Sequence, residues 1–392
     1  MATAQQLTDL AVGLSEKGHD VTVVTSDRGY DNPAQRFPRR ETWNGIKIIR
    51  ISSLALGKKS RWRRAVTFAS FMANCSLRLL RLGRFDAVVA LTSPPLISFL
   101  GSVFTRLKGG KFYFWVMDLN PDEAVAAGWL KNGSTSAKFL DRLLRYSLTQ
   151  AEKVIALDQF MKDRIVAKGT TSEKIMVLAP WSHDENARFD AKGREGFRQQ
   201  HQLDQRFVVM YAGNHSPCHP LDTLMETARR LSDRKNIVFA FVGGGSEQQR
   251  VRAFAEAHSL DNIRCIPYQP FEDLAATLSA ADLHTVVMGD AFVGIVHPSK
   301  IYNLVSIGSP FLYVGPAESH ISRIAARING GGSAFVAGNG DVDAVVDHIL
   351  KLSNSETRAG QYNYPELSNS FSRKRLLPQM IEILEASSEF RV

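Results

Sequence analysis

The apolar positions alternate between two spacings along the first half of the chain. Leu7, Leu10, Ala11 and Leu14 follow a helical period over 5–17, and Gly18 ends it. Short apolar runs at 21–25 and 46–51 predict strands, and 61–82 predicts a long helix. Runs at 86–90 and 112–117 read as buried strands. They end in polar turns, at 91–95 and at Asp118-Leu119-Asn120-Pro121-Asp122. A strand at 153–156, a helix and a strand at 175–178 follow. After a polar, charged segment at 184–204 the pattern restarts. Strands are predicted at 208–211, 237–242, 263–266, 283–287 and 311–314, with helices at 221–233 and 248–258 among them. Short apolar strands separated by helices specify a parallel sheet covered on both faces. The pattern therefore predicts an α/β chain of two doubly wound units joined near 182–206, closed by a helix at 374–386. The chain opens directly on a helix, where a domain of this type opens with a strand and a glycine-rich turn. The expectation is that this sequence begins downstream of the natural start.

Size and composition agree with that division. A chain of 392 residues is too long for one ordinary core, and 44% hydrophobic with 22% charged residues is a globular composition. Cys75, Cys218 and Cys265 lie far apart and form no metal or redox spacing, which points to a reducing compartment, the cytoplasm. There is no signal peptide and no run of about 18 apolar residues. The net charge of +9 is uneven: residues 1–180 hold 27 Lys and Arg against 15 Asp and Glu, a net of +12, which leaves −3 for the rest. The basic half calls for an anionic partner, a membrane surface or nucleic acid. The helix from Arg61 carries Trp62, Phe68, Phe71, Leu79 and Leu80, with basic residues clustered at its ends, including Lys58, Lys59, Arg61, Arg63, Arg64, Arg78, Arg81 and Arg84. That composition reads either as an interfacial helix on an anionic membrane over 58–84 or as a core helix with solvated ends. No nucleic-acid module is present, so nucleic acid ranks lower.

Ligands of open parallel sheets bind at the carboxyl ends of the strands. Four such ends in the second half stand out: Gly213-Asn214-His215, Gly243-Gly244-Gly245, Tyr268-Gln269-Pro270 and Val296-His297-Pro298-Ser299-Lys300-Ile301-Tyr302-Asn303. In the last, Ser299 is placed to cap a helix closed at Gly308. A helix start offers free N–H groups and a positive dipole end to a phosphate, and Lys300 adds a full charge. Asn303, one turn on, adds an amide. The glycine run is not a G-x-G-x-x-G fingerprint, which argues against a nicotinamide cofactor. In the first half, Asp118 is placed either to orient or deprotonate a hydroxyl or to cap a helix, as is Asp122. His183 and Asp184 lie at the hinge.

Together, the run from Leu7 to Thr25, the Asp118–Asp122 turn, Gly213-Asn214-His215, Phe241-Val242-Gly243-Gly244-Gly245 and His297–Asn303 resemble the GT-B-fold, family 4 glycosyltransferases. The branch is that of bacterial surface polysaccharides, of the colanic-acid and O-antigen type. The resemblance implies two Rossmann-like domains facing a cleft: 1–182 for the acceptor, 183–371 for the nucleotide-sugar, and 372–392 packing back on the first. It implies retaining, metal-independent transfer from a UDP-sugar, an N-acetylhexosamine for instance, to a lipid-linked glycan, with no cofactor. The enzyme would sit on the inner face of the cell membrane. Gly213, Asn214, His215, Gly243 and Gly244 would approach the diphosphate, which Ser299 and Lys300 would bind. Asn303 would touch the sugar or phosphate, Tyr268 and Gln269 would border the base, and Asp118 would lie near the reacting hydroxyl. The chain departs from the family at its two glutamates, which fall on Ile295 and Asn303, and at the usual arginine and lysine, of which Lys300 is the replacement. A nucleotide-sugar epimerase, with Glu247 as its carboxylate, and an inactive membrane-bound subunit are the alternatives.

Overall fold

The computed structural model describes residues 2–29, 35–54, 61–182, 187–328, 333–355, 362 and 364–386. Its strands are β1 (Thr22–Ser26), β2 (Arg40–Trp43), β3 (Ile46–Ile51), β4 (Ala87–Ala90), β5 (Lys111–Trp115), β6 (Lys153–Ala156) and β7 (Ile175–Val177) in the N-terminal half. The C-terminal half holds β8 (Phe207–Asn214), β9 (Ile237–Gly244), β10 (Ile263–Ile266), β11 (Leu283–Val287), β12 (Phe311–Val314) and β13 (Ala334–Ala337).

The C-terminal sheet is parallel throughout, in the order β10-β9-β8-β11-β12-β13. Counted from β8 this is 3-2-1-4-5-6, the doubly wound order. Its strands are apolar on both faces because helices cover both: Phe239, Phe241, Leu283 and Leu312 fill one side and Val208, Met210, Val238 and Ala240 the other. The order reverses between β8 and β11. There the connections leave in opposite directions, the point at which sheets of this type bind their ligands.

The N-terminal half corrects one expectation. It is not a single parallel sheet among the described residues. The strands β4-β5-β6-β7 form one parallel sheet, and β1-β3-β2 form a second in which β2 runs antiparallel to β3. The turn between β2 and β3 is the two-residue Asn44-Gly45, both at positive φ (50° and 77°). That pair is a strong hairpin signal, and it overrode the parallel pattern locally.

A single apolar cluster joins the two halves. It runs from Tyr113, Trp115 and Val154 of the four-stranded sheet, through Trp181, to Val286, Tyr302 and Phe311. The last helix, Arg373–Ala386, packs on the first, Ala2–Glu16: Gly13 lies under Leu377 and Ile381, the Tyr113 hydroxyl donates to Leu384 O at 3.1 Å, and His19 and Lys17 pair with Glu385. Across the front, Leu119 N–H donates to Ile295 O at 2.8 Å and Arg164 Nε to Val293 O at 2.5 Å, so strand ends of the two halves touch directly.

Candidate active site

The reversal of strand order brings the turn after β8 beside the segment after β11. Extended backbone carries β8 through Gly213 and Asn214, two residues beyond the apolar run. Gly213 pairs in register with Gly243 of β9, and the two backbones nearly touch: a Cβ on Gly243, whose φ is +128°, would lie 2.1 Å from Gly213 O. Only glycine fits there. The next turn interlocks, with His215 N–H donating to Gly244 O at 2.8 Å and Glu247 N–H to His215 O at 3.1 Å. Thus the two glycine turns form one surface.

Lys300 opens the helix Lys300–Ile307 and reaches back under that surface. Its Nζ lies 3.5 Å from the centroid of the Tyr211 ring, and a Cβ on Gly213 would sit 3.1 Å from it. The nitrogen is buried and has no hydrogen-bond partner. Burial pushes its pKa down from 10.5 to about 7. The neighbouring imidazoles stay neutral. Burial, then the Lys300 charge, lowers His215 to about 4 and His219 to about 3. His215 Nδ1 donates to Gly213 O at 3.1 Å, and His219 Nδ1 to Val287 O at 2.7 Å. An amine buried without a counter-charge carries a desolvation cost. Ser299 holds the cap position but has helical φ and ψ and makes no side-chain cap bond, contrary to the capping expected of it. The first-turn N–H groups therefore gain nothing from its hydroxyl. Asn303 is half-buried one turn further along.

At the edge of the same surface, the Tyr268 hydroxyl donates to Gly244 O at 3.1 Å, and its ring lies over Gly244. Tyr268 is exposed. Gln269 turns back to Pro267 O at 2.9 Å. Glu247 pairs with Arg250 at 3.5 Å rather than facing the turns.

The N-terminal half supplies carboxyls opposite. Asp118 follows β5, and its N–H donates to Thr92 Oγ1 at 3.2 Å, tying two strand ends together. It caps no helix. Burial, then the Glu123 charge, raises its pKa to about 7. Burial raises Glu123 as well, which accepts from Asn120 Nδ2 at 3.1 Å and, across the cleft, from the Cys218 thiol at 3.7 Å. Cys218 lies in the turn after β8, and burial, then Glu123, pushes its thiol up to about 12. So Asp118 and Glu123 face the same turn that covers Lys300. The expected capping by Asp122 is not made: it sits in the first turn behind Pro121 and pairs with Lys168 at 2.8 Å. His183 and Asp184 lie outside the described residues.

A second polar cluster escaped the sequence reading. Asp158, at the end of β6, caps the helix Gln159–Ala167 through Met161 N–H at 2.8 Å. Its Oδ2 also meets His297 Nδ1 at 2.7 Å and His320 Nδ1 at 3.3 Å, both from the other half. His297 Nε2 lies 2.6 Å from the Tyr302 hydroxyl. The ligating atoms of Asp158, His297 and His320 lie within 4.8 Å of one another, so a metal ion is a geometric candidate. The sequence signal was present: Asp158 stands at a strand end before a helix, the same rule that marked Lys300.

Known proteins match this architecture in order. Residues 2–181 match the glycosyl transferase 4-like domain, and residues 193–297 match glycosyl transferases group 1. The chain is 25% identical over 368 residues to the putative colanic acid biosynthesis glycosyl transferase WcaI of Escherichia coli (strain K12), covering 89% of this chain and 88% of that one. Two solved structures share the fold. Sucrose-phosphate synthase of Thermosynechococcus elongatus superposes with a TM-score of 0.74 at 14% identity, covering 97% of this chain and 92% of that chain. Anabaena Alr3699/HepE in complex with UDP and glucose gives 0.71 at 13%, covering 97% and 95%. With family matches along both halves and a full-length relative of the same kind, the chain belongs to the GT-B-fold family 4 glycosyltransferases, in the branch that makes bacterial surface polysaccharides.

Proposed function

We propose that this enzyme moves a sugar from a UDP-sugar, an N-acetylhexosamine among the first to try, to a lipid-linked glycan, with retention at the anomeric carbon. The observation that carries the reading is Lys300: a buried amine with no hydrogen-bond partner, under two glycine turns at the strand-order reversal. The diphosphate lies on Gly213–His215 and Gly243-Gly244, with Lys300 and the first turn at Ser299 beneath it. Asn303 lies toward the sugar, and the base stacks on Tyr268 beside Gln269. The acceptor oxygen enters on the same face from which the diphosphate leaves, so the bond from the anomeric carbon to the diphosphate oxygen breaks, the bond to the acceptor oxygen forms and the configuration is retained. Negative charge grows on the leaving diphosphate, where Lys300 stabilises it most. Asp118, deprotonated above about pH 7, accepts the acceptor hydroxyl's proton. No cofactor or metal enters these steps. The Anabaena neighbour, solved with UDP and glucose, supports the choice of a uridine donor.

The acceptor is lipid-linked on this reading because the basic half exposes an apolar stripe. Val66, Ala69, Ala73, Leu77 and Leu80 recur at helical spacing on the outer face of Arg61–Leu80, next to exposed Arg63, Arg81 and Arg84. Leu107 is exposed on the helix Ile97–Lys108, which packs beside it. Phe68 and Phe71 are half-buried, so the exposed aliphatic residues rather than these two rings would enter the lipid. Lys58 and Lys59 lie outside the described residues. No described helix is long and apolar enough to cross a membrane. The enzyme binds the inner leaflet peripherally.

Incubation with a panel of UDP- and GDP-sugars and a lipid-linked acceptor tests the reading, with product anomers assigned by NMR. A retained anomer on the lipid glycan is expected. Isomerised donor without acceptor would favour an epimerase. No turnover and no thermal shift with any nucleotide would favour an inactive subunit.

A further inference from the structure

We infer that Asp158, His297 and Tyr302 form a hydrogen-bond relay across the domain interface that positions Lys300, so the acceptor-side half sets the competence of the donor-side lysine. This rests on the donor-site reading above. Asp158 lies two residues beyond β6, whereas His297 and Tyr302 flank Lys300, three residues before it and two after. Asp158 is buried, which raises its pKa, but its hydrogen bonds to His297 and to Met161 N–H hold it well below the usual carboxylate range. It therefore accepts from His297 Nδ1–H at 2.7 Å. On its other side His297 Nε2 lies 2.6 Å from the Tyr302 hydroxyl, and burial keeps that phenol protonated. Each group is almost fully enclosed, with the His297 side chain 1% exposed and Tyr302 2%. In such surroundings hydrogen bonds fix geometry strongly.

The relay ties Tyr302, in the first turn of Lys300–Ile307, to His297 and Asp158, and Lys300 reaches from that turn under Gly213. The contacts around the relay belong to the same seam: Arg323 stacks on Phe160 at 4.4 Å, and a Cβ on Gly294 would lie 2.5 Å from Phe160 O. Separating the halves removes the carboxylate from His297 and frees the turn that carries Lys300. His320 stacks on His297 with centroids 3.8 Å apart and planes 12° apart, closing the relay from above. That stacking disfavours a metal ion. An ion lies in the plane of each imidazole that binds it, about 2 Å from the nitrogen, and two parallel rings at this spacing do not share one.

The test is a double-mutant cycle read as UDP affinity by calorimetry, with thermal melting to confirm folding. Tyr302→Phe keeps the ring against Phe371 and removes one hydrogen bond. Asp158→Asn keeps the helix cap. Each is expected to weaken UDP binding three- to tenfold in the wild-type background and to have no further effect once Lys300→Ala is present. An equal loss in both backgrounds would overturn the relay, as would no loss in either while Lys300→Ala alone is weakened. Unchanged affinity in Lys300→Ala would instead bring down the donor-site reading, and the relay's purpose with it. Stoichiometric zinc binding that Asp158→Asn abolishes would make the cluster a metal site and overturn the relay.

Discussion

Lys300→Met should make the protein more stable and less able to bind its donor. Burial lowers the amine's pKa from 10.5 to about 7. That gap, at roughly 1.4 kcal/mol per pH unit, is about 5 kcal/mol against the charged form in the folded state. The Tyr211 face, 3.5 Å from Nζ, returns about 1–2 kcal/mol. About 3 kcal/mol of destabilisation remains near and below pH 7, which methionine, similar in length and apolar, removes. In thermal unfolding this is a rise of about 6–12 °C for a domain of this size. The pH dependence has a definite sign. Unfolded lysine holds its proton to about 10.5 and the folded one only to about 7, so between these values the unfolded state binds more protons. Wild-type stability therefore rises with pH across that window relative to Lys300→Met, and the two converge at high pH. Calorimetry with UDP should show at least a tenfold loss of affinity in the same variant. A variant less stable than wild type at pH 7, with unchanged UDP affinity, would refute the reasoning.

Other consequences can be checked separately. Asp118→Asn should lower kcat by about 10²–10⁴ and abolish the rise of kcat/KM with pH through about 7, measured in a pH–rate profile with acceptor. Gly243→Ala places a methyl 2.1 Å from Gly213 O at a φ of +128°, and should lower stability by more than about 3 kcal/mol in denaturant unfolding. Asp282 is buried and accepts from Arg194, Arg198 and Val208 N; Asp282→Ala should cost about 3–5 kcal/mol by the same measurement while leaving the turn at Gly213 in place. Replacing Leu77 and Leu80 by Glu should release the protein from anionic liposomes in sedimentation; undiminished binding would refute the outer-face stripe.

Much of this fold was legible because strands buried on both faces need no partner information to be recognised. The runs at β8, β9 and β11 are apolar for that reason, and the rule that ligands sit at carboxyl ends located Gly213, Gly243 and Lys300 before any contact was known. The sequence did not show that Lys300 points under Gly213, since that follows from β8 and β11 being neighbours at the reversal of order. The Asn44-Gly45 pair carries a hairpin signal that the surrounding parallel pattern masks. Ser299 and Asp122 looked like caps from residue type alone. Their backbone angles and a lysine 46 residues beyond Asp122 decided otherwise. The Asp158–His297–His320 cluster joins three strand ends from two sheets, a juxtaposition that no local spacing encodes.

The central claim is that Lys300 is the receptor for the donor's diphosphate. Carbon-13 labelling of lysine Cε, with the Lys300 resonance assigned by its loss in Lys300→Met, gives the amine's pKa directly. The account predicts titration near 7 in the free protein and a rise to above about 9 when UDP is bound, since the diphosphate supplies the missing counter-charge. A pKa near 10.5 in the free protein, or one that UDP does not move, would contradict it.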